Sequence, residues 1–198
     1  MNPEDYYCYI GMSQICDQKK SEIFGIERMV ALYEQMDKNN KAEQLLKYDL
    51  NSEDSFQQYL QSPLRDQAMH ELGVGTTRKM KSVISDIFLA SLRMLDFTRQ
   101  ERLEIWKGKF EYNTAPVIED AFNFNAFEQI THLEMPFFIF AGEHDFTCNY
   151  DLQKEYYQFL KAPQKEFYSF SESAHSPLFA EKEKSLDILI ELKHSFTP

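Results

Sequence analysis

The sequence predicts an α/β fold: about three parallel strands with flanking helices, carrying a large all-helical insertion after the first strand. Three observations lead there. Near the N-terminus, Tyr6–Ile10 reads as a short buried strand. From Ser21 to about Phe110 nearly everything has helical period. After Met135 the texture changes to strand, helix, strand, helix, which is the grammar of a parallel sheet with crossover helices. The expected division is a sheet-bearing core from 1–20 and 111–198, with a helical cap or lid from 21–110.

Ile23, Ile26, Val30 and Tyr33 form one apolar stripe, ending at Asn39-Asn40. Gly73-Val74-Gly75 is a break between helices. Met80, Ile84, Ile87, Phe88 and Leu95 make a second stripe. Thr98 and Glu101 fit a capping box that opens a helix through Leu103 and Trp106. Phe122, Phe124 and Phe127 read as packing beneath the cap rather than a ligand cage.

Past Pro136 the run Phe137–Ala141 is apolar without alternation, as in a parallel strand buried on both faces. Tyr150–Leu160 has helical period, Lys165–Phe170 is a further strand, and "SESAHSP" is a loop. Leu178–Leu192 closes the chain as an amphipathic helix with Leu186, Leu189 and Leu192 on one side.

The bulk numbers exclude several classes. At 198 residues, 43% hydrophobic and 27% charged, the chain suits one domain with a sizeable core, or a core plus an appended lid. No run approaches the ~20 apolar residues that span a bilayer, and the first residues lack the basic start of a signal peptide, so the expected setting is cytoplasmic. A net charge of −11 argues against nucleic acid and anionic membrane surfaces as partners. Cys8, Cys16 and Cys148 are widely spaced and read as free thiols. Glu143, His144 and Asp145 are adjacent on one loop, a poor arrangement for converging on a cation. His144 is expected to be exposed, and His70 to be cap surface. No metal or cofactor is expected.

Sites in open α/β sheets lie at the carboxyl ends of strands. Asp145 follows the strand Phe137–Ala141, and His175 follows the strand Lys165–Phe170. One helix separates the two strands, so both side chains can converge on one sheet edge. A carboxylate bound to one imidazole nitrogen fixes the tautomer and leaves the other nitrogen free as a base.

The stretch "PFFIFAGEHDFTCNYDLQKEYYQFLKAPQKEFYSFSESAHSP" resembles the C-terminal part of an α/β-hydrolase, and more narrowly the bacterial hydrolases grouped with proline iminopeptidases. The resemblance implies that Asp145 is the triad acid and His175 the triad base. The segment "NPEDYYCYIGMSQICDQKKSE" is similar to that family at its sixth strand, which follows the nucleophile elbow. The helices after it then correspond to the family's cap, and the chain to a partial α/β-hydrolase fold.

Gly11-Met12-Ser13 carries the first part of G-x-S-x-G, the nucleophile-elbow pattern. The elbow needs a small residue two places after the serine, and Ile15 stands there. Ser13 is therefore read as a pocket-edge residue rather than the nucleophile, and Cys8 and Cys16 lack an elbow too. The resemblance implies a serine hydrolase of ester or amide bonds, aminopeptidase-like, truncated before its nucleophile and oxyanion donors, so that the isolated chain is expected to be inactive. Its partners would be a small-molecule or peptide substrate once complemented, a complementing N-terminal half, or further copies of itself through an unpaired strand edge. The alternative is a non-catalytic binding or interaction module that uses the cap.

Overall fold

The computed structural model describes residues 3–112, 120 and 123–196. Three strands, β1 (Tyr9–Met12), β2 (Phe137–Gly142) and β3 (Lys165–Phe170), form one parallel sheet in the order β1-β2-β3. The first strand starts later than Tyr6. The Tyr9 amide donates to the Pro136 carbonyl, and upstream of that point β2 has not begun, since Pro136 has no N–H to offer a ladder. Tyr6 and Tyr7 stay exposed.

Every residue of β2 is buried, and its side chains alternate between two layers. Phe137, Ile139 and Ala141 meet Tyr156 and Leu160, at and just past the end of α8 (Tyr150–Phe159), with Ala126 of the short α7 (Ala126–Gln129). Phe138 and Phe140 meet Ile188 and Leu192 of α10 (Lys182–Phe196), which follows the short α9 (Pro177–Ala180). Each fully buried Phe or Ile contributes about 1.5–3 kcal/mol. The final helix thus buries Ser185, Ile188 and Leu192, while Leu186 faces outward and Leu189 is only partly covered. Its register is set by the β2 aromatics that Ile188 and Leu192 meet. Phe124 and Phe127 pack on the α8 side of the sheet. Phe122 lies outside the described residues.

Between β1 and β2, helices α1 (Gln18–Gln35), α2 (Asn39–Leu45), α3 (Glu53–Gln61) and α4 (Pro63–Leu72) build a core of their own. Ile26, Val30 and Tyr33 of the expected stripe are in it, with Ile23 packed at its margin. Asp17 caps α1 by accepting from the Lys20 amide at 2.9 Å. The carboxylate of Glu22 on α1 is fully buried, and Arg65 of α4 grips both its oxygens, one of them from Nε at 2.8 Å.

The second expected stripe, from Met80 to Leu95, does not lie on one continuous helix. Asp86 turns back to accept the amides of Lys81 and Ser82 at 2.8 and 3.2 Å, so helical structure begins only after them, leaving Met80 to point into the body. A wide turn, Ile84–Phe88, runs into the single turn α5 (Leu89–Ser91), and Leu95 lies beyond it, 89% exposed. The capping box forms: Thr98 N–H donates to Glu101 at 2.7 Å and Glu101 N–H to Thr98 Oγ1 at 3.3 Å, opening α6 (Arg99–Tyr112). Trp106 is held edge-on to Phe88 and donates to Ser91 Oγ at 2.7 Å, while Leu103 faces outward. Among the described residues no helix is long and apolar enough to cross a membrane.

At the end of β2 the β3–α9 loop crosses against Gly142. A Cβ there would stand 2.0 Å from the Ala174 carbonyl oxygen. Gly142→Ala is therefore expected to lower the unfolding free energy in urea by about 2–3 kcal/mol, since backbone has to move to admit the methyl. Wild-type stability in that variant would show that the loop lies elsewhere.

Candidate active site

The carboxyl ends of β2 and β3 turn into two loops that lie against each other. The amide of Glu143 donates to the Phe170 carbonyl and that of His144 to the Ser173 carbonyl, both at 3.0 Å. Asp145 sits at the centre and is fully buried. A carboxylate removed from water needs donors on its oxygens. Oδ1 accepts the amides of Thr147 and Cys148, each at 2.9 Å, and Oδ2 lies 3.1 Å from Nδ1 of His175. Asn149 then caps α8 by accepting the Leu152 amide, so the loop that presents Asp145 runs straight into a helix start.

The other side of the pair is equally held. Glu181 accepts the Glu172 amide at 2.9 Å and the Ser173 hydroxyl at 2.7 Å, pinning the loop that leads to His175. The main chain of His175 is fixed at both ends. Its amide donates to the Gly75 carbonyl at 3.0 Å, and its carbonyl accepts the Ser13 hydroxyl at 2.8 Å. The imidazole is about a third exposed, and among the described residues its Nε2 takes part in no hydrogen bond. Burial alone would push its pKa down. The hydrogen bond and negative charge of Asp145 outweigh burial and the opposing charge of Arg65, so the ring titrates above its ordinary value. The arrangement holds a proton on Nδ1 and leaves Nε2 to accept another.

Ser13 lies just past β1 with a left-handed φ of 49°, and its amide donates to Phe140. It borders a shallow groove of about 370 Å³ along β1 that is lined also by Tyr9, Ile10, Met12, Ile15 and Phe124. Its hydroxyl is engaged by the His175 carbonyl, not by the imidazole. All three cysteines are free thiols. Cys16 is buried, and that burial, with Asp17 and Glu155 nearby, pushes it up to about 12; burial raises Cys148 as well. His144 is half-buried rather than exposed, and His70 is half-buried with its ring packed near Gly75. Among the described residues no group of three His, Cys, Asp or Glu side chains is arranged to hold a metal ion.

Residue-type reasoning did not single out Ser13 as a clamp on the His175 main chain, nor Gly75, nor Glu181.

Comparison with known proteins adds one partial likeness. The probable aminopeptidase YbaC of Bacillus subtilis (strain 168) is 36% identical to this chain over 59 residues, which is 30% of this chain and 19% of that protein. No family model and no solved structure matches the chain.

The imidazole makes a testable contribution to stability. In the unfolded chain it titrates near ~6.5, and in the folded chain higher. The native state therefore holds its proton more tightly. The stabilisation is fully present below about pH 6.5 and is lost as the pH rises through the folded value. Unfolding free energies measured from pH 5.5 to 9 should fall more steeply in wild type than in His175→Gln. Identical pH profiles would mean that Asp145 does not hold the protonated ring.

Proposed function

We propose that this chain carries the acid–base part of a serine-hydrolase site, built on a partial α/β-hydrolase fold and acting on ester or amide bonds in an aminopeptidase-like reaction. The observation that carries the reading is the Asp145–His175 bond at the carboxyl edge of two adjacent parallel strands. The partial likeness to a probable aminopeptidase supports the same chemistry. In this reading His175 Nε2 takes the proton from an attacking hydroxyl. Asp145 stabilises the imidazolium so formed, and Nε2 then returns the proton to the leaving amine or alkoxide.

The nucleophile and oxyanion donors come from outside these 198 residues. No G-x-S-x-G occurs in them, the Ser13 hydroxyl is committed to a backbone carbonyl, and the buried thiols are poor nucleophiles. The donating segment would be an N-terminal half that pairs with β1. Among the described residues only one side of β1 is occupied by a strand, and Tyr9, Ile10 and Met12 are 37–44% exposed along it. The helices of 21–110 act as the cap and shape substrate choice.

A second reading, a non-catalytic interaction module, draws on the exposed apolar side chains Ile84, Leu89, Leu95, Leu103 and Ile105 on the segment from the wide turn to α6.

Labelling with a fluorophosphonate separates the two. The chain alone should not be labelled, and should cleave an activated ester no faster than His175→Ala does. Mixed with an N-terminal α/β-hydrolase half that carries G-x-S-x-G, the serine of that half should be labelled. His175→Ala should then slow the labelling by about 10³-fold or more, and Ile10→Lys on the open edge should block it. Labelling of Ser13 in the lone chain would overturn the assignment of roles. Stable pairing with the half but no labelling would favour the interaction module.

A further inference from the structure

The helical body formed by α1–α4 touches both loops of the Asp–His pair through one three-residue segment. Gly73 ends α4 in a left-handed conformation, φ 68°, where a Cβ would stand 2.8 Å from the Arg78 carbonyl oxygen. The chain therefore doubles back at once, and the Val74 amide donates to the Met69 carbonyl at 2.9 Å. The Val74 side chain is buried among the residues of the helical core. That leaves two consecutive carbonyls directed away from the helices. The Val74 carbonyl accepts the amide of Phe146, the residue after Asp145, at 3.1 Å. The Gly75 carbonyl accepts the amide of His175 itself at 3.0 Å.

Nearby contacts run the same way. Gln18 of α1 donates to the Thr147 carbonyl at 2.9 Å, and the Thr147 hydroxyl lies 3.8 Å from the Met69 sulfur. Thr147 is one of the two residues whose amides bind Asp145 Oδ1. The carboxylate and the imidazole are on loops from different strands, and one anchored segment of the helical body bonds to both.

The geometry points to Gly73-Val74-Gly75 as a positioning segment that couples the helical body to the Asp145–His175 geometry, so that displacing the body from the sheet lengthens the carboxylate–imidazole bond. Val74 is the anchor, because its side chain fixes the segment in the helical core while its carbonyl reaches the acid loop. Gly75 reaches the base loop. Neither touches a reacting group; both act through the loops they hold. A substrate that shifts the helical body would change the basicity of His175 with no contact to it. The proposal deepens the hydrolase reading and rests on it for its functional meaning. Its test involves no turnover, so either can fail without the other.

The test uses native-state hydrogen exchange and NMR titration of the whole chain. In wild type the amides of Phe146 and His175 should share the denaturant dependence of helical-core amides such as Met29 and Tyr33, not that of Ile139 in β2. Exchange of those two amides together with Ile139 would overturn the coupling, and this arm needs no variant. Val74→Ala should speed their exchange by about tenfold or more and move the His175 titration midpoint down toward an ordinary imidazole. Leu45→Ala, a truncation in the same core remote from the segment, should speed the exchange but leave the His175 midpoint at its wild-type position. A midpoint unmoved by Val74→Ala, or moved equally by Leu45→Ala, would reduce the segment to ordinary packing.

Discussion

A carboxylate with no access to water dictates much of the architecture at the sheet edge. Asp145 is fully buried, and leaving such a charge uncompensated costs several kcal/mol. The loop after β2 is shaped to supply two amides to one oxygen, and the loop after β3 is brought across to supply an imidazole to the other. The crossing of the second loop over the first is what excludes a side chain at residue 142. Ser13, Gly75 and Glu181 then hold the crossing loop from three directions. The pair is thus a structural constraint first, and its chemistry follows from the nitrogen left over.

The helical body contains a second buried charge, treated the same way. Glu22 is met by two of the three Arg65 nitrogens and by Gln18. Arg65 lies near enough to His175 to oppose its protonation. Tyr59, in the same core, is fully buried with a hydroxyl that has no hydrogen-bond partner among the described residues. The helical body and the sheet edge are therefore linked electrostatically as well as through hydrogen bonds.

Much of the sheet was legible in the sequence because its signals are local and strong. The apolar run at Phe137 and the strand at Lys165–Phe170 stand where the texture places them, and Asp145 and His175 could be paired from their positions after those strands. The edge strand was placed too early, since tyrosines look alike whether or not a ladder partner exists beside them. The stripe from Met80 to Leu95 misled because helical spacing says nothing about where a helix can start. Asp86, by binding the amides of Lys81 and Ser82, decided that. Leu186 and Leu103 fitted an apolar face but point outward, for the inward face is chosen by what lies opposite. The clamps on His175 were illegible because one is a backbone carbonyl, which carries no residue-type signature, and the other is a serine hydroxyl whose partner is main chain far along the sequence.

In the proposed site Asp145 fixes His175 with its proton on Nδ1 and its Nε2 free to act as a base. Long-range ¹H–¹⁵N correlation of the imidazole, recorded above its titration midpoint, tests this directly. The neutral ring should be the tautomer protonated at Nδ1, with a far-downfield Nδ1 proton that is lost in Asp145→Ala. A neutral ring protonated at Nε2 would contradict it, because Nδ1 would then carry no proton for the carboxylate to accept and Nε2 would have no basic lone pair.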